Sequence, residues 1–368
     1  MSGEKPSVLV LGGVGFIGRN VVHYIVQNGL ASKIRVADKV LPGMAWLSKA
    51  HKESFSKVEF KHANLISPKS VENAFKTDDG PFDYVINCAG ETKYGQSEPV
   101  YQDGIVKLST NCAQQAAKHR VRKYVEISSA YMYSSEKKAI TETTHCEPWT
   151  QHARYKLLVE QELSNIPNLN FVIVRPAIVY GLGDRMGLTP RLVIGAVYKY
   201  IKEKMKVLWT KDIKMNTVHV EDVSRAVWHL CCHGRVGEIY NLADKGNTNQ
   251  GKVCSIISNI FHINHEFLGS VVSSVAKLSL EEVVEDINEK HMVPWGQACI
   301  QANISSTPLN PFIHQELLYN KHLHVDGSKV EATGFTYSHP EITEPLLTEV
   351  LKDYVDLGLF PSFLVPAS

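Results

Sequence analysis

The chain of 368 residues is 44% apolar and 21% charged, with 39 Lys and Arg against 38 Asp and Glu and a formal net charge of +1. That length is ample for a buried core without disulfide or metal staples. The charge balance lacks the basic excess that marks a nucleic-acid or membrane-surface partner, so neither is expected.

Short β-branched runs predict strands at 8–11, 34–37, 58–60, 84–87, 124–127 and 172–174. Such runs suit strands buried on both faces. A helical pattern at 17–28 follows the first strand and stops at Gly29, a left-handed end position. Strand–helix alternation predicts an α/β fold, a doubly wound parallel sheet. Beyond Gly181 the pattern loosens, punctuated by Pro190, Pro294, Pro308, Pro311 and Pro340, and a smaller C-terminal substrate lobe is expected. The expected division is 1–180 for the nucleotide-binding unit, completed by about 215–250, with 181–214 and 251–368 forming the lobe. Within the lobe a helix with a cationic face (Lys199, Lys202, Lys204, Lys206) is expected over 194–205, and a terminal amphipathic helix over 346–359. Residues 291–311, with Trp295 and three prolines, suit a lid or a connecting loop equally.

The strongest local signal is Gly12-Gly13-Val14-Gly15-Phe16-Ile17-Gly18, between the first strand and the first helix. A Cβ at Gly12, Gly15 or Gly18 would obstruct the tight turn, a pyrophosphate, or the helix–sheet contact. The helix start then offers free N–H groups to that pyrophosphate. Asp38, at the end of the second strand, supplies a carboxylate for the adenosine ribose hydroxyls and repels a 2′-phosphate. The cofactor expected from these residues is NAD(H), on a Rossmann-type sheet.

The residues further along resemble the extended short-chain dehydrogenases/reductases, the group that includes nucleotide-sugar epimerases and dehydratases. The resemblance runs over residues 1 to about 250. It implies that Asn64 and Leu65 touch the adenine, and that Cys88, Ala89 and Gly90 lie against the cofactor. Ser128-Ser129-Ala130-Tyr131-Met132-Tyr133 is similar to the family's serine segment and places the catalytic serine at Ser129. Arg175-Pro176-Ala177-Ile178-Val179-Tyr180-Gly181 resembles the segment whose Pro176 and Val179 positions meet the nicotinamide. Val218–Val223 and Ile239–Leu242 match two further landmarks, and Asp326-Gly327-Ser328-Lys329 a late one. The resemblance also implies a homodimer through helices that include 105–118 and 152–164.

The family's acid–base device is a Tyr-x-x-x-Lys pair on one helical face, the lysine lowering the tyrosine's pKa. Here Lys156 and Glu160 match, but four residues before the lysine stands His152. A neutral imidazole both accepts and donates a proton, so substitution with retained chemistry and loss of chemistry with retained cofactor binding both remain open. Tyr155 shares part of that helical face and is the alternative proton carrier; Tyr131 is a further phenol or a pocket wall. Ile105 stands where the family's asparagine steadies the lysine, and Ala130 and Tyr131 stand where 4,6-dehydratases carry Asp-Glu, so water elimination is not expected. Arg185 and Arg191 suit a phosphate or carboxylate, or merely a mobile surface loop.

The expected activity is therefore an NAD(H)-dependent oxidoreductase or epimerase acting on a secondary alcohol or ketone. The resemblance implies a nucleotide sugar as substrate, with sterol-like or other small alcohols behind it; the alternative is a non-catalytic NAD(H)-binding scaffold or subunit. Seven scattered cysteines (Cys88, Cys112, Cys146, Cys231, Cys232, Cys254, Cys299) without C-x-x-C spacing suit a reduced, cytoplasmic protein. The N-terminus shows no cleavable apolar leader, no run reaches the roughly 18–20 residues of a membrane span, and the histidines show no metal spacing.

Overall fold

A computed structural model describes residues 5–269 and 280–365. The strands of the main sheet are β1 (Ser7–Leu11), β2 (Lys33–Asp38), β3 (Glu59–His62), β4 (Tyr84–Asn87), β5 (Lys123–Ile127), β6 (Phe171–Pro176) and, late in the chain, Ile239–Leu242. Their spatial order is Ile239–Leu242, β6, β5, β4, β1, β2, β3, every pair parallel. Within the central strands the side chains alternate between two cores. Val8 and Val10 enter one, with Val125, Val172 and Val174, while Leu9 and Leu11 enter the other, with Val85, Tyr124 and Ile173. Burial on both faces explains why these strands read as unbroken apolar runs.

The helices α1 (Phe16–Gln27), α2 (Lys49–Phe55), α3 (Pro68–Phe75), α4 (Glu98–Tyr101), α5 (Leu108–Lys118) and α6 (Gln151–Asn165) connect these strands. The chain steps from β3 back across β1 to β4, so the strand order reverses between β1 and β4. Parallel sheets of this kind hold ligands at the C-terminal ends of the strands beside such a reversal. α1 ends as expected before Gly29, whose φ is +55°. The edge strand starts at Glu59 rather than Val58, because Val58 closes a turn onto Phe55.

A third core gathers much of the C-terminal half. The helix expected over 194–205 is displaced: α7 runs Thr189–Ile201, started by Pro190 in its first turn and stopped by Lys202 at φ +58°. The cationic face dissolves with it, since Lys199 donates to the Leu364 carbonyl and Lys204 pairs with Glu266. Residues 291–311 form neither a lid nor a plain loop at their start. They continue a helix, Leu280–Gln301, with Pro294 inside it, where Trp295 is buried against Phe360 and donates to the Leu309 carbonyl. Tertiary packing overrides the local signal of the proline there. The last long helix is Glu344–Asp356, ended ahead of Gly358 at φ +68°. Among the described residues no helix is long and apolar enough to cross a membrane.

Candidate cofactor and active site

The four glycines after β1 serve different purposes. A Cβ on Gly12, at φ +68°, would lie 2.5 Å from the Ala89 backbone, and one on Gly18 would lie 2.3 Å from the Gly12 carbonyl oxygen. Gly13 is closed by Val36, at 2.7 Å. Gly15 is different: its Cβ would meet only the Gly12 oxygen, at 3.2 Å, and Gly15 lines an open groove. Packing therefore requires three of the glycines, and the fourth faces the open groove. No side chain caps α1 and no acidic residue sits in its first turn, so among the described residues its leading N–H groups have no carboxylate hydrogen-bonded to them.

The groove encloses about 770 Å³ and runs across the reversal between β1 and β4. Ten of the expected cofactor residues line it: Gly12, Gly15, Phe16, Ile17, Asp38, Asn64, Leu65, Cys88, Ala89 and Gly90. Gly13 and Gly18 act behind the wall as packing positions, and Pro176 and Val179 lie at the end of β6 and in the short strand Ile178–Tyr180. Asp38 accepts from the Val14 N–H and the Val40 N–H, both at 3.0 Å, which pins the glycine loop to the end of β2. Each carboxylate oxygen retains a lone pair for ribose hydroxyls. Arg19 does not compensate a 2′-phosphate, because its guanidinium is buried and donates to the carbonyls of Val14, Gly15, Ala45 and Trp46. Burial and the neighbouring Arg185 lower its pKa to about 10. A glycine cradle, an uncapped helix start and a ribose carboxylate fit NAD.

At the other end of the site lies Lys156, on α6. Its Nζ donates to Glu126 Oε1 at 3.1 Å and to the Ile127 carbonyl at 2.6 Å, and it lies 3.6 Å from where a Gly90 Cβ would be. Glu126 was not legible as a site residue. It sits on β5, fully buried, and also accepts from Asn87, Tyr124 and Ser109. The one available signal was a carboxylate among the apolar residues Tyr124, Val125 and Ile127 of β5. Ile105, where an asparagine would steady the lysine, is buried in the core, and Glu126 holds the lysine directly instead.

A second ion pair locks the frame around the reacting elements. Arg175 donates from Nε to Glu160 Oε1 at 2.9 Å and from Nη2 to Oε2, with a further bond to the Tyr133 hydroxyl. Ser128 donates to the same Glu160. Helix α6, strand β6 and the 128–133 segment are thereby fastened to one another. Ser129, 5% exposed, follows directly and accepts from the Tyr131 N–H at 3.2 Å.

His152 occupies the first turn of α6, which Thr150 caps through the Ala153 N–H. It is half-buried, and desolvation together with the Lys156 charge pushes its pKa down to about 3. The imidazole is therefore neutral across the physiological range. Tyr94, on the loop after β4, stands 6.3 Å from it between ring centroids and stacks on His314 at 5.9 Å. Burial raises the Tyr94 phenol well above its ordinary pKa and takes Tyr131 to about 12, so neither neighbouring phenol is acidified. Tyr155 is not brought to this place: it stacks on Tyr101 at 5.4 Å within the core that holds Val159 and Leu163. Arg185 lines the cofactor groove, and Arg191 lines a separate cavity with Tyr131.

Spacing along the chain suggests no metal, yet the fold brings His219, Glu221 and His339 within 4.8 Å of one another. His339 pairs with the carboxylates of Glu221 and Asp222 at 3.6 and 3.5 Å, which accounts for the cluster without an ion.

A family model described as "NAD dependent epimerase/dehydratase family" matches residues 8–243. The UDP-glucose 4-epimerase of Dictyostelium discoideum is 26% identical over 176 residues, 46% of this chain and 50% of that protein. The decarboxylating sterol-4-alpha-carboxylate 3-dehydrogenase of Saccharomyces cerevisiae is 29% identical over 195 residues, 50% of this chain and 54% of that one. The chain thus spans about half the length of these curated relatives. Among solved structures, the Thermus thermophilus UDP-glucose 4-epimerase in complex with NAD superposes with a TM-score of 0.66 at 18% identity, covering 95% of this chain and 99% of that one. That likeness is one of fold.

Proposed function

The chain belongs to the NAD-dependent epimerase/dehydratase family, whose cofactor is NAD, and from that membership we propose that it is an oxidoreductase or epimerase acting on a secondary alcohol or ketone. The observation that carries the reading is Lys156. Burying an ammonium–carboxylate pair costs several kcal/mol of desolvation that apolar residues would avoid. A protein that merely stored the cofactor would gain nothing from such a pair beside Gly90, at the end of the groove that Asp38 begins.

Bound NAD supplies the two-electron acceptor or donor. The chain's own part is to hold the substrate oxygen and move its proton. Ser129 Oγ is the hydrogen-bonding partner for that oxygen, and the neutral His152 imidazole is the acceptor for the proton. Lys156 orients the cofactor's ribose and polarises the site. The depressed basicity of His152 favours a second reading, NAD binding without turnover. Of the substrates implied by the resemblance, the epimerase relatives support a nucleotide sugar and the sterol dehydrogenase an apolar alcohol, at comparable identity. A cytoplasmic location is supported by seven unpaired cysteines, and a homodimer is proposed from the family resemblance alone.

The test is absorbance at 340 nm of the NAD-loaded protein while fractions of a metabolite extract are added, with Lys156→Ala as control. Reduction in the wild type and none in the variant supports hydride chemistry. Bound NAD that never changes, with no substrate interconverted in any fraction, supports the second reading.

A further inference from the structure

A second cavity, of about 130 Å³, lies on the C-terminal side of the molecule. Its walls are mainly hydrocarbon, Met205, Leu208, Met215, Val253, Ile257 and Leu323 among them. It reaches the reacting elements through Tyr131, just beyond Ser129, and Trp149, just before α6, whose rings meet edge to face at 5.3 Å.

Three of the polar side chains on its walls, Glu316, Asn288 and Gln250, are spent on the protein. Both Glu316 oxygens accept from the Gln151 N–H at 3.2 and 3.3 Å. Asn288 exchanges two hydrogen bonds with Ile313, and Gln250 donates to the carbonyls of Leu208 and Thr210. His291 differs from these three. It is 3% exposed, its Nε2 pairs with the Tyr198 hydroxyl at 3.3 Å, and its Nδ1 has no partner among the described residues. Among the described residues the wall carries four positive charges, on Arg191, Lys206, Lys214 and Lys321, of which Lys206 and Lys321 are exposed to water.

A sugar or a pyrimidine carries polar atoms around its whole edge, and most would be buried here unpaired. A hydrocarbon ring leaves no polar atom unpaired on entering, and the cavity's volume of about 130 Å³ is close to the roughly 150 Å³ of an apolar cavity that holds a single ring. We propose that this cavity is the substrate pocket, that it takes a hydrocarbon ring of an apolar secondary alcohol or ketone rather than a nucleotide sugar, and that His291 Nδ1 meets one polar substituent on that ring. The inference rests on the NAD-dependent reading of the neighbouring groove and adds the substrate class to it.

The experiment is calorimetric titration of the NAD-loaded full chain with 2-decalol, decalin-2,6-diol and UDP-glucose, with absorbance at 340 nm recorded in parallel. Decalol is expected to bind with a negative heat-capacity change, the diol about fivefold more tightly, and UDP-glucose at least about tenfold more weakly than either. Val207→Trp, at the half-buried edge, and Ile257→Trp, in the wall, fill the cavity. Each is expected to weaken decalol at least about tenfold while NAD titration stays at the wild-type level, which also shows that the variant is folded. His291→Phe is expected to erase the diol's advantage and leave decalol unchanged. UDP-glucose binding more tightly than decalol, or decalol affinity indifferent to both folded cavity variants, overturns the proposal. Binding that tracks the cavity but never reduces NAD upholds the pocket and counts against the oxidoreductase reading. NAD reduction by an alcohol whose binding ignores the cavity does the reverse.

Discussion

Glu126→Gln changes one atom and removes the counter-charge of Lys156. Glu126 is fully buried and accepts four hydrogen bonds, from Asn87 at 2.7 Å, Tyr124 at 2.8 Å, Ser109 at 2.9 Å and Lys156 at 3.1 Å. Glutamine keeps the shape but turns one acceptor oxygen into a donor that faces donors already aimed at it. Two costs add. An uncompensated buried ammonium costs about 3–5 kcal/mol, and a mispaired buried donor about 1–3 kcal/mol. Rotation of the Tyr124 and Ser109 hydroxyls recovers part of the second. The expected loss is about 4–7 kcal/mol of unfolding free energy, large against a usual total of about 5–15 kcal/mol. Lys156→Met strands the carboxylate in the same way. The double variant leaves neither charge and is expected to be more stable than either single one, with a coupling energy of at least about 2 kcal/mol. Urea denaturation of the four proteins at pH 7.5 measures this cycle. Additivity within about 0.5 kcal/mol would refute the reasoning, because the two side chains would then not be partners in any energetic sense.

The glycine loop gives a sharper binary outcome: Gly18→Ala, whose Cβ would meet the Gly12 oxygen at 2.3 Å, is expected to weaken NADH at least about 100-fold, whereas Gly43→Ala enters open space and changes nothing. Fluorescence titration with NADH distinguishes them. Asp38→Ala is expected to weaken NADH about tenfold and to narrow its preference over NADPH; an unchanged ratio of the two affinities removes Asp38 from the ribose site. His152→Tyr is expected not to raise turnover if the imidazole is the working base, so a gain in kcat identifies the native site as impaired. Stability should fall with acid, because His51 is pushed down to about 3 by burial, and His219 and His291 to about 4. Between pH 6.5 and 4 the unfolded chain binds protons that the folded one refuses, which costs about 1.4 kcal/mol per pH unit for each of these buried histidines. Urea midpoints that stay level from pH 7 to pH 5 contradict that assignment.

Much of the cofactor half was legible because its determinants are local. The alternation of Val8, Leu9, Val10 and Leu11 between two cores, the glycines before α1 and the carboxylate ending β2 all express themselves within a strand, a turn and a strand. Where long-range packing competed with local preference, the reading failed. Pro294 sits inside a helix because Trp295 and its neighbours are held by the surrounding core, and the 194–205 pattern moved because Pro190 and Lys202 set the true ends.

The sequence by itself determined the parallel sheet, the glycine turn after β1, the carboxylate that ends β2, and the absence of tyrosine four residues before Lys156. Each depends on residue type at short spacing, which the backbone converts directly into geometry. Only the tertiary structure decided what replaces the missing parts. Glu126 reaches Lys156 from another element, Tyr94 and His314 meet beside His152 from opposite ends of the chain, and Tyr155 is spent on Tyr101. The apolar cavity with its unpaired His291 nitrogen is likewise assembled from segments remote in sequence. Charges and hydrocarbon walls find their partners through packing across the fold, and spacing along one segment carries no record of it.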